Sequence, residues 1–115
     1  MESKNQWIYE NNVPGIVVDQ IGIVNSVNEM FEKTFFWESK DLVGRRVSTI
    51  IPANLRDAHN MGFSRYIVSK KSTVLGMPLD LEILTGKGEI QVAQHFIVSF
   101  KHSDTTFIAA KILPL

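Results

Sequence analysis

Residues 73 to 113 constrain the fold more than any other part of the chain, because there the apolar residues stop recurring every three or four positions and begin to alternate. In 73–83, Thr73, Leu75, Met77, Leu79, Leu81 and Ile83 alternate with Val74, Gly76, Pro78, Asp80 and Glu82, which predicts a strand with one apolar face. Pro78, Asp80 and Glu82 are what an edge strand tolerates. After the turn Thr85-Gly86-Lys87-Gly88, the run 89–101 sets Ile90, Val92, Gln94, Phe96, Val98 and Phe100 on one face, read as the inner one. Gln91, Ala93, His95, Ile97 and Ser99 fall on the other. A turn at His102-Ser103-Asp104 leads into FIAAKIL, apolar on both faces and therefore expected to be central.

The first half has a different rhythm. GIVVD (15–19) and IVNS (23–26), joined through Gln20-Ile21-Gly22, predict a hairpin. Ser26-Val27-Asn28-Glu29 matches a capping box, and Val27, Met30, Phe31, Thr34 and Phe35 mark the apolar side of the helix it would start. Ser39 is placed to cap a short turn that Leu42 and Val43 anchor and Gly44 ends. From Pro52 onward, Leu55, Ala58, His59, Gly62, Phe63, Tyr66 and Ile67 form one stripe of a longer helix. Two strands, several helices and three strands predict an α+β fold: a five-stranded antiparallel sheet with short helices and one longer helix on one face. The opposite face, holding Ala93 and Ile97 in this reading, stays apolar enough to need a cover. Trp7 and Ile8 of the amino-terminal segment, or a second subunit, would supply it.

Composition removes several function classes. At 115 residues, with 44% hydrophobic and 21% charged, the chain has the size and make-up of one globular domain. Twelve basic and twelve acidic residues cancel, and the pairs Arg45-Arg46 and Lys70-Lys71 are isolated, so no nucleic-acid or anionic-membrane footprint is present. No apolar run approaches the roughly 20 residues that span a bilayer, and no signal-peptide core follows the amino terminus, which points to a cytoplasmic module. With no cysteine there is no disulfide, thiolate metal site or thiol nucleophile. Nor is there a Gly-x-Ser-x-Gly elbow, a phosphate loop or a His-Glu-x-x-His, and the acids are scattered, so no enzyme is expected.

Taken in order, IVVDQIGIVNSVNEMFEKTF, ESKDLVGRRVSTIIP, LRDAH, VLG and TGKGE resemble a PAS domain from about Pro14 to Ile112. The resemblance implies a PAS domain over 14–113 preceded by an amino-terminal cap or dimerisation segment over 1–13. It implies a sensory or signalling module of a larger protein, which binds a small ligand or cofactor in its core and passes the signal through dimer or effector contacts. The alternative within the family is a ligand-free interaction and dimerisation module. The homodimer would form through the outer sheet face and the amino-terminal segment. Where the family often ends in Asp-Ile-Thr before its effector domain, this chain has Lys111-Ile112-Leu113.

The cargo is open, but its bounds are not. A flavin–cysteine adduct is excluded by the absence of cysteine. IPANLRDAHNMGFSRY is similar to the long helix of haem-binding PAS oxygen sensors, and carried over, His59 becomes the proximal iron ligand and the metal-binding residue. Where those sensors carry an arginine that contacts bound gas, this chain has Leu79. In haem-free PAS domains an Arg-x-x-His pair also occurs, with the histidine packing or capping, so both roles of His59 stay open. For either a haem or another ligand, the expected pocket is lined by Leu55, His59, Phe63, Leu79, Gln94 and Phe96. Gln94 is either bonded to backbone or water, or addressed to that ligand. Asn28 resembles the asparagine of many PAS first helices and is expected to bond backbone between helix and loop. Trp37 is expected in the core. His95 and His102, on an outer face and at a turn, have no metal-ligand spacing.

Overall fold

A computed structural model of the chain describes residues 13–57 and 78–115. Five strands, β1 (Gly15–Asp19), β2 (Val24–Val27), β3 (Pro78–Leu84), β4 (Ile90–His102) and β5 (Thr105–Pro114), form one antiparallel sheet in the order β2-β1-β5-β4-β3. Between β2 and β3 lie the helices α1 (Glu29–Phe35) and α2 (Ser39–Leu42), and two 3-10 turns, Val47–Ile50 and Ala53–Leu55. The α+β, five-stranded antiparallel architecture is the expected one, with β5 central and β3 at an edge whose Pro78, Asp80 and Glu82 are exposed. The helix expected over 52–67 begins differently: Leu55 belongs to the second 3-10 turn, Arg56 and Asp57 are helical, and the remainder lies outside the described residues. So does 73–77 of the third expected strand.

Asn28 holds the first half together. It is the N-cap of α1, its Oδ1 accepting from the Phe31 N–H at 2.9 Å and from the Gly15 N–H at 3.0 Å, while its Nδ2 donates to the Val13 carbonyl at 2.7 Å. The backbone role expected of it is therefore met. The capping box is not: Val27 is still in β2, so Ser26 precedes the cap by two residues and its Oγ is buried without a partner. Ser39 likewise does not cap α2. It is the first residue of that helix, Glu38 holds the cap position, and the Glu32 carboxylate accepts from the Ser39 N–H at 2.6 Å.

The turns follow from local chemistry. Asp19 Oδ1 accepts from the N–H groups of Ile21 and Ile23, and Gly22 at φ 88° lets the chain reverse. After α2, the chain runs back along the free edge of β2, where Val24 N–H donates to the Arg45 carbonyl and Gly44 N–H to that of Val24. Ser103 and Asp104, both at positive φ, make the two-residue β4–β5 turn, whose twist matches that of the strands. The β3–β4 loop is docked on the end of α1: Gly86 N–H donates to the Phe35 carbonyl, Trp37 Nε1–H to that of Leu84, and a side chain at position 86 would collide with the Phe36 carbonyl.

The main core joins Phe31, Phe35, Leu42 and Ile50 of the helical layer to Ile16, Val18, Val24, Val27, Ile83, Ala93, Ala110 and Ile112 of the sheet, with Trp37 and Ile97 packed against it. On the sheet's other face, Val98, Phe100 and Phe107 surround the buried Val17 and Ala109. These two groupings correct the phase expected for β4. Ala93 and Ile97 face the helices, whereas Val92, Val98 and Phe100 face away. Phe31 and Phe35 of α1 are the largest fully buried side chains, and the same core takes small residues, Ala93 and Ala110, from the sheet.

Asn28→Ala leaves two buried N–H groups and a carbonyl without partners and is expected to destabilise the domain by about 2 to 3 kcal/mol. In urea unfolding this shows as a lower midpoint at an unchanged slope. A midpoint equal to that of the unsubstituted protein would remove Asn28 from its structural role.

Candidate functional site

The inner face of the sheet is the surface on which this fold can present chemistry, and the strand register states which residues share it. Leu79 pairs with His95, and His95 pairs with Ile112, so the three form a row across β3, β4 and β5. Ala93 and Ile97 flank His95 on β4, and all three lie on the inner side because Ala93 and Ile112 belong to the main core. Leu79 is half-buried, Ile112 is buried, and His95 is 7% exposed. One polar ring therefore sits among aliphatic neighbours.

His95 is oriented by a bond within its own strand. Its Nδ1 lies 3.0 Å from the Ala93 carbonyl oxygen, and since that oxygen only accepts, Nδ1 carries the proton. Burial pushes its pKa below the ordinary value of 6.5, against a smaller upward pull from the Ala93 bond. The ring is thus neutral at pH 7, with a lone pair on Nε2.

Arg56 secures the point at which the chain leaves the second 3-10 turn. Its Nε donates to the carbonyls of Ser48 and Ile51, both at 2.9 Å, a backbone clamp rather than a group turned to a ligand. The turn Val47–Ile50 it holds packs against β3.

Of the six residues expected to line a pocket, Leu79 is on the inner face as expected. Gln94 and Phe96 are corrected: each is one position out of phase with His95 and turned to the opposite face, where Phe96 is 38% exposed. Leu55 is 37% exposed at the end of its turn, not buried in a helix stripe. His59 and Phe63 lie outside the described residues. Among the described residues, no cluster of three or more His, Asp or Glu could hold a metal ion. His95 is the residue the sequence reading assigned to the wrong face; the signal that places it is the β3–β4 register, since Leu79 and His95 are partners.

No protein-family model matches the chain. An uncharacterized protein of Azorhizobium caulinodans is 29% identical over 80 residues, which are 69% of this chain and 11% of that protein. Among solved structures, the fold is similar to the PAS domain of a protein from Desulfitobacterium hafniense, with a TM-score of 0.75, 17% identity, and coverage of 92% of this chain and 95% of that one. The PAS domain of Bordetella pertussis BvgS gives 0.71 at 12% identity, covering 97% and 83%. The PAS domain of the Cronobacter turicensis RpfR quorum-sensing receptor, in complex with C12:0, gives 0.66 at 16% identity, covering 91% and 97%. No described helix is long and apolar enough to cross a membrane.

A histidine held neutral by burial makes the folded state poorer in protons than the unfolded chain below pH 6.5. Its contribution to stability is full above that pH and is lost as pH falls from 6.5 toward the lowered folded value. The melting temperature is therefore expected to drop between pH 7.5 and 5.5, and His95→Gln is expected to flatten that drop. Parallel curves for the two proteins, followed by circular dichroism, would show that His95 is not the group responsible.

Proposed function

From the PAS fold that this chain carries, we propose that it is a sensory module of a larger signalling protein, binding a small, mainly apolar ligand against the inner face of its sheet. The observation that carries the reading is the match in fold along almost the whole chain to PAS domains, among them one from a quorum-sensing receptor holding C12:0. The aliphatic row of Leu79 and Ile112, with one polar ring between them, suits an apolar body with a single polar head. Binding would favour one of two packings of the sheet against its helical cover, and β5 would carry the bias toward an effector domain.

The test is thermal unfolding of the full chain with dodecanoic acid and with 1-dodecanol. A ligand at a hundred times its dissociation constant stabilises by about 2.7 kcal/mol, a shift of roughly 10 °C or more for a domain of this size. No shift with either compound would favour the ligand-free interaction module. Haem enters the same series: a Soret band lost in His59→Ala would make His59 an iron ligand, and a band unchanged by that substitution would end that assignment.

The outer face is the proposed contact surface, with a second copy or the amino-terminal segment 1–13 as its cover. Val92 is 44% exposed, Phe96 38% and Leu113 40%, a set of neighbouring apolar residues on strands β4 and β5. Ile97 packs inward, so the outer face is tested at Phe96. Phe96→Lys is expected to halve the mass measured in solution by light scattering, and an unchanged mass would count against this dimer.

A further inference from the structure

The outer face of the sheet is closed at one end and open at the other. Val17 and Ala109 are fully buried on it, among Val98, Phe100 and Phe107, whereas Val92, Phe96 and Leu113 on the same face are exposed. The strand register adds charge to this open end. Glu82 pairs with Val92, Asp80 pairs with Gln94 and Gln94 with Leu113, and Phe96 pairs with Lys111, so these side chains share one side of the sheet. Asp80 and Glu82 are exposed along the β3 edge, and Lys111 is half-buried on β5. An apolar strip on β4 therefore runs between an acidic edge and a basic strand.

We infer that this open end pairs with the same surface of a second copy, in the orientation that sets β3 of each copy over β5 of the other. A two-fold interface must be self-complementary, and aligned sheets packed face to face can meet that condition in two ways. With the axis across the strands, each strand lies over its own copy, and Asp80 and Glu82 face the same carboxylates of the other sheet. Like charges so placed repel. With the axis along the strands and over β4, the strand order β5-β4-β3 is reversed in the second copy, so each acidic edge lies over the strand that carries Lys111. Val92 and Phe96 are then buried against their own copies at the axis, and the opposite charges meet at two equivalent rims. The inference rests on reading the outer face as a contact surface and goes further by fixing how the two copies are turned.

The test is the dimer dissociation constant of the full chain, measured by sedimentation equilibrium. Asp80→Asn, an exposed substitution that leaves the core untouched, is expected to weaken the dimer about threefold, because one change removes a contact at both rims. Asp80→Lys is expected to weaken it about tenfold or more, and adding Lys111→Glu to Asp80→Lys is expected to return it to within about threefold of the unsubstituted protein. Added salt is expected to weaken the unsubstituted dimer and to act less on Asp80→Asn. A dimer that Asp80→Asn tightens or leaves unchanged overturns this orientation, while the contact surface stands. A protein that is monomeric throughout, or a dimer that Phe96→Lys does not disturb, ends the reading of the outer face as a contact surface and the orientation with it.

Discussion

The entry of the chain into the sheet and the start of its first helix are tied by one side chain, Asn28. Its amide bonds the Val13 carbonyl and the Gly15 N–H on one side and caps α1 through Phe31 on the other, while its own backbone N–H donates to the Gly15 carbonyl. The residue between them, Pro14, accepts through its carbonyl from the Ile112 N–H of β5. Three consecutive residues therefore tie the first helix, the start of β1 and the last strand into one unit. The position of Ile112, and with it the row that contains His95, depends on how the chain enters the sheet. Losing an interior amide of this kind leaves several backbone groups unpaired at once, which is why its cost exceeds that of a typical hydrogen bond.

Much of the architecture was legible because each device is local. Alternation over β3, the positive-φ turn at Ser103-Asp104, the glycine-containing loop at 85–88 and the apolar side of α1 are read from a few neighbouring residues. The helix caps were less so, because serine and asparagine compete for the same role. Here Ser26 is held in β2 by pairing with Val17, which leaves the cap to Asn28.

The face of β4 was the harder problem. Ile90, Val92, Phe96, Val98 and Phe100 are individually more apolar than Gln91, Ala93, His95, Ile97 and Ser99, and an alternation argument assigns the richer face to the core. The sheet has two apolar faces, so that argument has no purchase. What decides is parity: five residues, 85–89, separate Leu84 from Ile90, which pairs Ile83 with Gln91 and Leu79 with His95. A loop one residue longer or shorter would reverse every side chain of β4. The inner position of Leu79, already expected, fixes that of His95 once the loop is counted in this way.

The same alternation offers a physical route for a signal. On β4, inner and outer residues are immediate neighbours in the chain: His95 lies between Gln94 and Phe96, and the strand's thirteen residues are paired on both sides, to β3 and β5. A strand held by two hydrogen-bonded neighbours cannot rotate one side chain's backbone without moving the next, so a change in packing against His95 is felt directly at the exposed Phe96. β5 adds the second half of the route, since Ile112 faces inward beside His95 while Leu113 faces outward, close to where the described strand ends. A ligand with differential affinity for two packings of the inner face would thereby shift the outer face between two states. The amount of that shift is bounded by the difference in the ligand's binding energy between the two packings.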